Sequence, residues 1–250
     1  MSTTSVSTDS VELEITAKDL ADKLALPFTS LNSEHIQLVV TQAHIEIRAP
    51  DLGKPIFIDF GAGKNAHRRQ FGGGRGQPLA KAIGLKKGAT PTIIDATAGF
   101  GGDAFVLASL GCNITLIEQN PLIATLLNNA LERATENAEI EGVITRMSLI
   151  NDNAIHYLNT LNTEHRPDVI YLDPMYPNRE KSALVKKDMR LLHQLAGPDT
   201  DSEQLLTIAQ KIALKRVVVK RPKSAPFIGE QKPVTRIESK NTRYDVYLTK

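Results

Sequence analysis

From about Pro78 to the C-terminus, short runs rich in β-branched residues alternate with segments whose apolar residues recur at helical spacing. That alternation is the strongest constraint on the fold. Strands joined through helices pair in parallel, and the helices cover both faces of the sheet. Strands are predicted at residues 92–95, 114–118, 148–150, 169–172 and 216–220. Helices are predicted at 79–83, 102–110 and 205–214, the last behind a capping-box pair, Thr200 and Glu203. A further helix opens at Asn120-Pro121, with asparagine as N-cap and proline at the first helical position. Its Ile123, Leu126, Leu127, Ala130 and Leu131 share one face. Residues 234–239 and 244–249 read as a closing antiparallel pair, so an antiparallel strand ends the sheet. The expected class is α/β, a Rossmann-like sheet. In such sheets ligands bind beyond the carboxyl ends of the strands.

Before that pattern lies a smaller α+β unit. The runs at 38–40, 44–48 and 55–60 have strand composition, whereas the Ser/Thr-rich residues 1–10 are expected to fray. Residues 61–76 are dense in glycine and carry Lys64, His67, Arg68, Arg69 and Arg75. Because glycine weakens helices and strands, this stretch reads as a long functional loop or hinge. The organisation expected is a small N-terminal subdomain over 1–76 and a main domain over 77–250. With 41% hydrophobic and 23% charged residues, a chain of 250 can bury its own core without staples. The single cysteine, Cys112, excludes an intrachain disulfide and fits a reducing compartment. The polar N-terminus has no apolar signal core, and no run reaches membrane-spanning length. A cytoplasmic location without membrane partners is expected. The histidines show no zinc spacing, so no metal is expected.

Two strand ends carry chemistry. The strand at 92–95 runs into DATAGFGGDA, where Gly99, Gly101 and Gly102 permit a tight turn that a ligand can approach closely. The next strand ends at Glu118, followed by Gln119. Glu118 lies 23 positions after Asp95, near the spacing of roughly 20 at which an acid reaches a ribose. The same glycines match a dinucleotide fingerprint, which keeps a nicotinamide-dependent oxidoreductase open. Asp95 argues against it, since a carboxylate beside the turn repels a pyrophosphate. It suits instead the sulfonium or ammonium of S-adenosylmethionine.

The fourth strand ends in YLDPMYP. An exocyclic base amine is a weak nucleophile because its lone pair is delocalised into the ring. Accepting hydrogen bonds from its two N–H groups concentrates charge on nitrogen. Asp173 can supply one acceptor and the carbonyl of Pro174 the second, while Tyr176 can stack on the base. These three are the candidate catalytic residues. A DNA adenine-N6 methyltransferase would use the same Asp-Pro-Met-Tyr corner. A non-catalytic RNA-binding assembly factor would keep only the basic residues, for which Lys64, His67, Arg68, Arg69 and Arg75 are the candidates.

The strings FGGGRGQPLAKAIG, DATAGFGGDAFVLASLG, YLDPMYP and NTRYDVYL resemble the family of ribosomal RNA small subunit methyltransferase J. The resemblance runs from roughly residue 38 to the end. It implies a class I methyltransferase sheet, S-adenosylmethionine as cofactor, and 16S rRNA or the small ribosomal subunit as partner. The implied product is N2-methylguanosine at position 1516 of that RNA. The cofactor contacts it implies are Gly102, Asp103, Glu118, Gln119, Asp152, Asn153 and Asp173. One departure is visible: Gly102 stands where the family pattern leads one to expect arginine.

Overall fold

The computed structural model describes residues 4–32, 34–50, 53–86, 88–174, 195 and 201–249. Its centre is a seven-stranded sheet. The strands are β4 (Ile93–Asp95), β5 (Ile114–Glu118), β6 (Met147–Asn151), β7 (Val169–Leu172), β8 (Arg216–Pro222), β9 (Thr235–Glu238) and β10 (Thr242–Leu248). Their order is β6-β5-β4-β7-β8-β10-β9. The first five are mutually parallel, whereas β10 runs antiparallel to both β8 and β9. The chain builds outward from β4 on one side, then returns to place β7 on the other. The crevice between β4 and β7 is therefore a switch point, where the following loops part and leave room for a ligand.

Alternation along each strand sorts the core into two layers. Ile93, Leu116, Val169, Tyr171 and Val218 face one side. There they meet α3 (Pro78–Ile83), α4 (Gly102–Ser109) and α5 (Pro121–Ala134). Ile94, Ile117, Ile170, Leu172, Val217 and Val219 face the other, against α7 (Ala154–Thr160) and the helix Ser202–Ile212, labelled α8 here. Full burial of each such side chain contributes about 1.5–3 kcal/mol before entropy is subtracted. A short α6 (Glu141–Ile144) precedes β6. The cap read for α5 is present: Asn120 Oδ1 accepts from the N–H groups of Leu122 and Ile123. For α8 the N-cap is Asp201; Thr200, expected there, lies outside the described residues.

The N-terminal unit departs from expectation in three places. Residues Ser5–Thr8 are not frayed but form β1, pairing in parallel with β2 (Gln37–Val40), which pairs antiparallel with β3 (Ile45–Arg48). Its polar sequence is tolerated because Ser5 Oγ accepts from Thr29 Oγ1 and Gln37 Nε2. A helix α1 (Glu14–Leu24) packs on β1. Residues 55–60 are not a strand, and Ile56 makes only an isolated bridge with Ile47. Ile56, Ile58 and Phe60 are nevertheless buried in alternation. The third departure is α2 (Gly63–Phe71), a regular helix inside the glycine-rich stretch read as a loop. Its glycines sit at the ends. At Gly72 a Cβ would lie 2.2 Å from the carbonyl oxygen of Arg68, so only glycine closes the helix there. The N-terminal sheet is tied to α5, where Asn129 Oδ1 accepts from Ile45 N–H and Arg133 donates to the Ile58 carbonyl.

Candidate active site

One cavity of about 640 Å³ opens at the carboxyl ends of β4, β5, β7 and β8. Asp95, Gly99, Gly102, Asp103, Glu118, Gln119, Asn153, Asp173 and Pro174 all line it. The glycine turn and the Asp173-Pro174 corner thus share one pocket, as the sequence reading requires. Extended residues Ile56, Phe57 and Ile58 and the start of α2 form its outer wall. Tyr176 lies outside the described residues.

The glycine turn is shaped by packing beneath it. Gly101 has φ +69, and a Cβ there would lie 2.9 Å from Leu127 Cδ1. The turn then delivers the Gly99 N–H to Glu118 Oε2 at 2.9 Å, while Glu118 Oε1 accepts from Asn120 N–H at 2.8 Å. A buried carboxylate is thereby oriented at the cavity wall. The Asn151 amide donates to the Glu118 carbonyl at 2.7 Å, fixing the strand end. Asn153 caps α7 through Oδ1 and holds Gln119 Oε1 through Nδ2. Asp152 is not among the lining residues; it accepts from Asn153 N–H and pairs with His156 at 2.8 Å.

Asp95 is buried, and its Oδ1 accepts from Thr97 N–H. Burial pushes its carboxyl up to about 8, more than the Thr97 hydrogen bond lowers it. The anion expected at this position is therefore mostly a neutral acid near pH 7. Thr97 in turn accepts from the Asp173 N–H through Oγ1 at 2.6 Å, linking the two strand ends.

The sequence reading missed the centre of the site. Lys220, at the end of β8, places Nζ 2.7 Å from Asp173 Oδ2 and 2.9 Å from Asp103 Oδ2. Asp103 also accepts from Tyr171 Oη at 2.7 Å and from Arg68 Nη2 at 2.6 Å. Burial alone would raise Asp103, but Lys220 and Arg68 outweigh it and hold the carboxyl well below the ordinary range. Burial likewise works against the Lys220 ammonium, and the two carboxylates outweigh it and hold it above the ordinary lysine value. Burial and the nearby Asp103 and Asp173 keep the Tyr171 phenol protonated, as a donor. One signal was available: a lysine following three valines on an otherwise apolar strand.

The five candidate RNA contacts separate. Lys64 and Arg68 line the cavity. Arg68 donates to the Gly102 carbonyl at 3.3 Å, and a Cβ on Gly102 would lie 3.7 Å from its Nη1. A guanidinium from α2 therefore stands beside the position where arginine was expected. Arg69 pairs with Glu139, and His67 stands beside the exposed ring of Phe71. Arg75 braces the fold, donating to the carbonyls of Lys86, Ala89 and Leu110.

The donor set suits an adenosine bearing a cationic amino-acid tail. Glu118 offers carboxylate oxygens for ribose hydroxyls. Phe100, Ile155 and Leu205 offer apolar walls, and the Asp173 side chain faces the same space. Among the described residues no cluster of three histidine, cysteine or acidic side chains is placed to hold a metal, and no helix is long and apolar enough to cross a membrane.

Comparison with known proteins agrees with this chemistry. A family model described as "Putative SAM-dependent methyltransferase" matches residues 19–249. The chain is 49% identical to the ribosomal RNA small subunit methyltransferase J of Nitrosococcus oceani, over the whole of both chains. It is 54% identical to the protein of that name from Tolumonas auensis, over 84% of this chain and 85% of the other. A crystal structure of a SAM-dependent methyltransferase from Neisseria gonorrhoeae superposes with a TM-score of 0.74. It is 34% identical and covers 98% of this chain and 95% of that one.

Proposed function

The chain belongs to the S-adenosylmethionine-dependent ribosomal RNA small subunit methyltransferase J family, and we propose that it methylates the exocyclic N2 of a guanosine in 16S rRNA, at position 1516. The observation that carries this reading is the shared cavity, in which Glu118 and the Asp173-Pro174 corner face one space. The names of the relatives favour ribosomal RNA over the DNA-adenine alternative and over a non-catalytic binding factor. A ribosomal substrate also puts the enzyme in the cytoplasm.

When bound, S-adenosylmethionine supplies an electrophilic methyl group on a sulfonium. Glu118 accepts hydrogen bonds from the ribose hydroxyls. Its carboxylate is already oriented by the Gly99 and Asn120 N–H groups, so little ordering is left for binding. Asp173 and the Pro174 carbonyl accept the two N–H bonds of the guanine amine, and Tyr176 stacks on the ring. Lys220 ties Asp173 to Asp103, which Tyr171 also holds. Most of the acceleration comes from positioning and from electrostatics preorganised around the amine. Lys64 and the exposed face of α2, with His67 and Arg69, contact RNA at the rim.

The test is mass mapping of modified nucleosides in small-subunit rRNA from cells with and without the protein, paired with methyl transfer in vitro. N2-methylguanosine at one site is expected only with the protein. Asp173→Ala should abolish the transfer while preserving the melting transition. A variant that turns over at near-normal rate would remove Asp173 from the mechanism.

A further inference from the structure

We propose that Lys220 is a positioning residue for methyl transfer: bridging Asp173 and Asp103, its ammonium keeps the Asp173 carboxylate ionised and fixed in orientation at the cavity wall. The inference deepens the proposed amine methylation and rests on it.

The geometry is specific to this lysine. Val217, Val218 and Val219 of β8 are fully buried, so the strand delivers the next side chain to the edge of the cavity. Desolvating an ammonium is costly unless it is paired with good geometry. Here two carboxylates compensate, from α4 and from the end of β7. A purely structural brace would need only Asp103, which already holds Tyr171 and Arg68. Lys220 reaches past it, and its contact to Asp173 is the shorter of the two, 2.7 against 2.9 Å.

The other charged and titratable groups around the pair are Asp103 on α4, Arg68 on α2, Tyr171 on β7, Tyr244 on β10 and Asp95 on β4. Arg68 remains to satisfy Asp103 if Lys220 is neutralised. The Lys220–Asp173 contact at 2.7 Å is therefore the one whose loss the Lys220 variants read.

An ionised carboxylate accepts N–H bonds, whereas a protonated one donates and fails at that task. Activity therefore has an acid limb set by Asp173, and Lys220 holds that limb at low pH. The experiment follows single-turnover methyl transfer to small-subunit RNA against pH for wild type, Lys220→Gln and Lys220→Arg, with S-adenosylmethionine affinity measured by calorimetry. Removing an opposite charge at contact distance should move the acid limb of Lys220→Gln upward by about one pH unit or more. Its rate at neutral pH should fall roughly tenfold or more, with cofactor affinity within about threefold of wild type. Lys220→Arg should restore the limb.

In an Asp173→Asn background, Lys220→Gln should add little, since the lysine acts through Asp173. An unchanged acid limb in Lys220→Gln overturns the proposal, as does a limb in Lys220→Arg displaced as far as in Lys220→Gln. If Lys220→Gln does not melt cooperatively, an NMR titration of the Asp173 carboxyl carbon in wild type reads the same question. A midpoint below the ~3.9 of an unstructured aspartate is expected; one at or above it overturns the proposal. Wild-type protein inactive on small-subunit RNA overturns the function and this inference together. An active wild type with an unmoved limb overturns this inference alone.

Discussion

Replacing Asp95 by asparagine should make the protein more stable, and increasingly so as pH rises. Asp95 is 3% exposed, and its carboxyl sits at about 8 where an ordinary aspartate has 3.8. Burial is the main cause, with Asp103 and Asp173 adding to it. The folded-state value is raised above the unfolded one. Its contribution is therefore complete below pH 4 and is lost as pH climbs through 8. Each pH unit of difference is worth about 1.4 kcal/mol, so the full window spans on the order of 5 kcal/mol. Relaxation and water entry around an ionised group reduce such figures, and a change of about 2 kcal/mol or more is the expectation. Asparagine removes the ionisation and keeps an oxygen to accept the Thr97 N–H. Urea unfolding of both proteins between pH 5 and 9 isolates the effect, because every other titrating group is common to the pair. The stability difference should widen in favour of Asp95→Asn toward pH 9. A difference that stays constant across the window would show that Asp95 does not titrate as its burial requires.

Two further outcomes follow from the glycine turn and its acid. Glu118→Gln should weaken S-adenosylmethionine binding about tenfold or more, as expected for losing hydrogen bonds to a charged acceptor. Calorimetry measures this directly, and unchanged affinity would remove Glu118 from the ribose. Gly101→Ala should cost about 2–5 kcal/mol, combining a left-handed backbone penalty with overpacking against Leu127. Chemical denaturation reads this; a loss under ~1 kcal/mol would mean that the turn relaxes freely.

Where local chemistry is self-contained, the sequence was readable. The cap at Asn120-Pro121 needs only its own next turn, and it forms as written. The unbroken apolar run 169–172 matches β7 end to end, because each residue meets a covered face of the sheet. The misreadings share a cause. The stretch 61–76 reads as a loop by its glycine density, although the helix Gly63–Phe71 needs glycine only at its ends. Residues Ser5–Thr8 have weak strand character of their own and become a strand through pairing with Gln37–Val40.

The sequence by itself determined the succession of strands and helices, the acid that closes the second strand of the series, and the proline-bound corner after the fourth. These are encoded within a few residues, by periodicity, capping and turn chemistry. Only the tertiary structure decided that Lys220 would stand between Asp103 and Asp173, that Arg68 would lie beside Gly102, and that Asp95 would be buried deeply enough to hold its proton. Those facts depend on strand order, which brings residues 47 and 117 positions apart within hydrogen-bonding distance of one ammonium, and on the exclusion of water from the space between them. Neither is a property of any one segment of the chain.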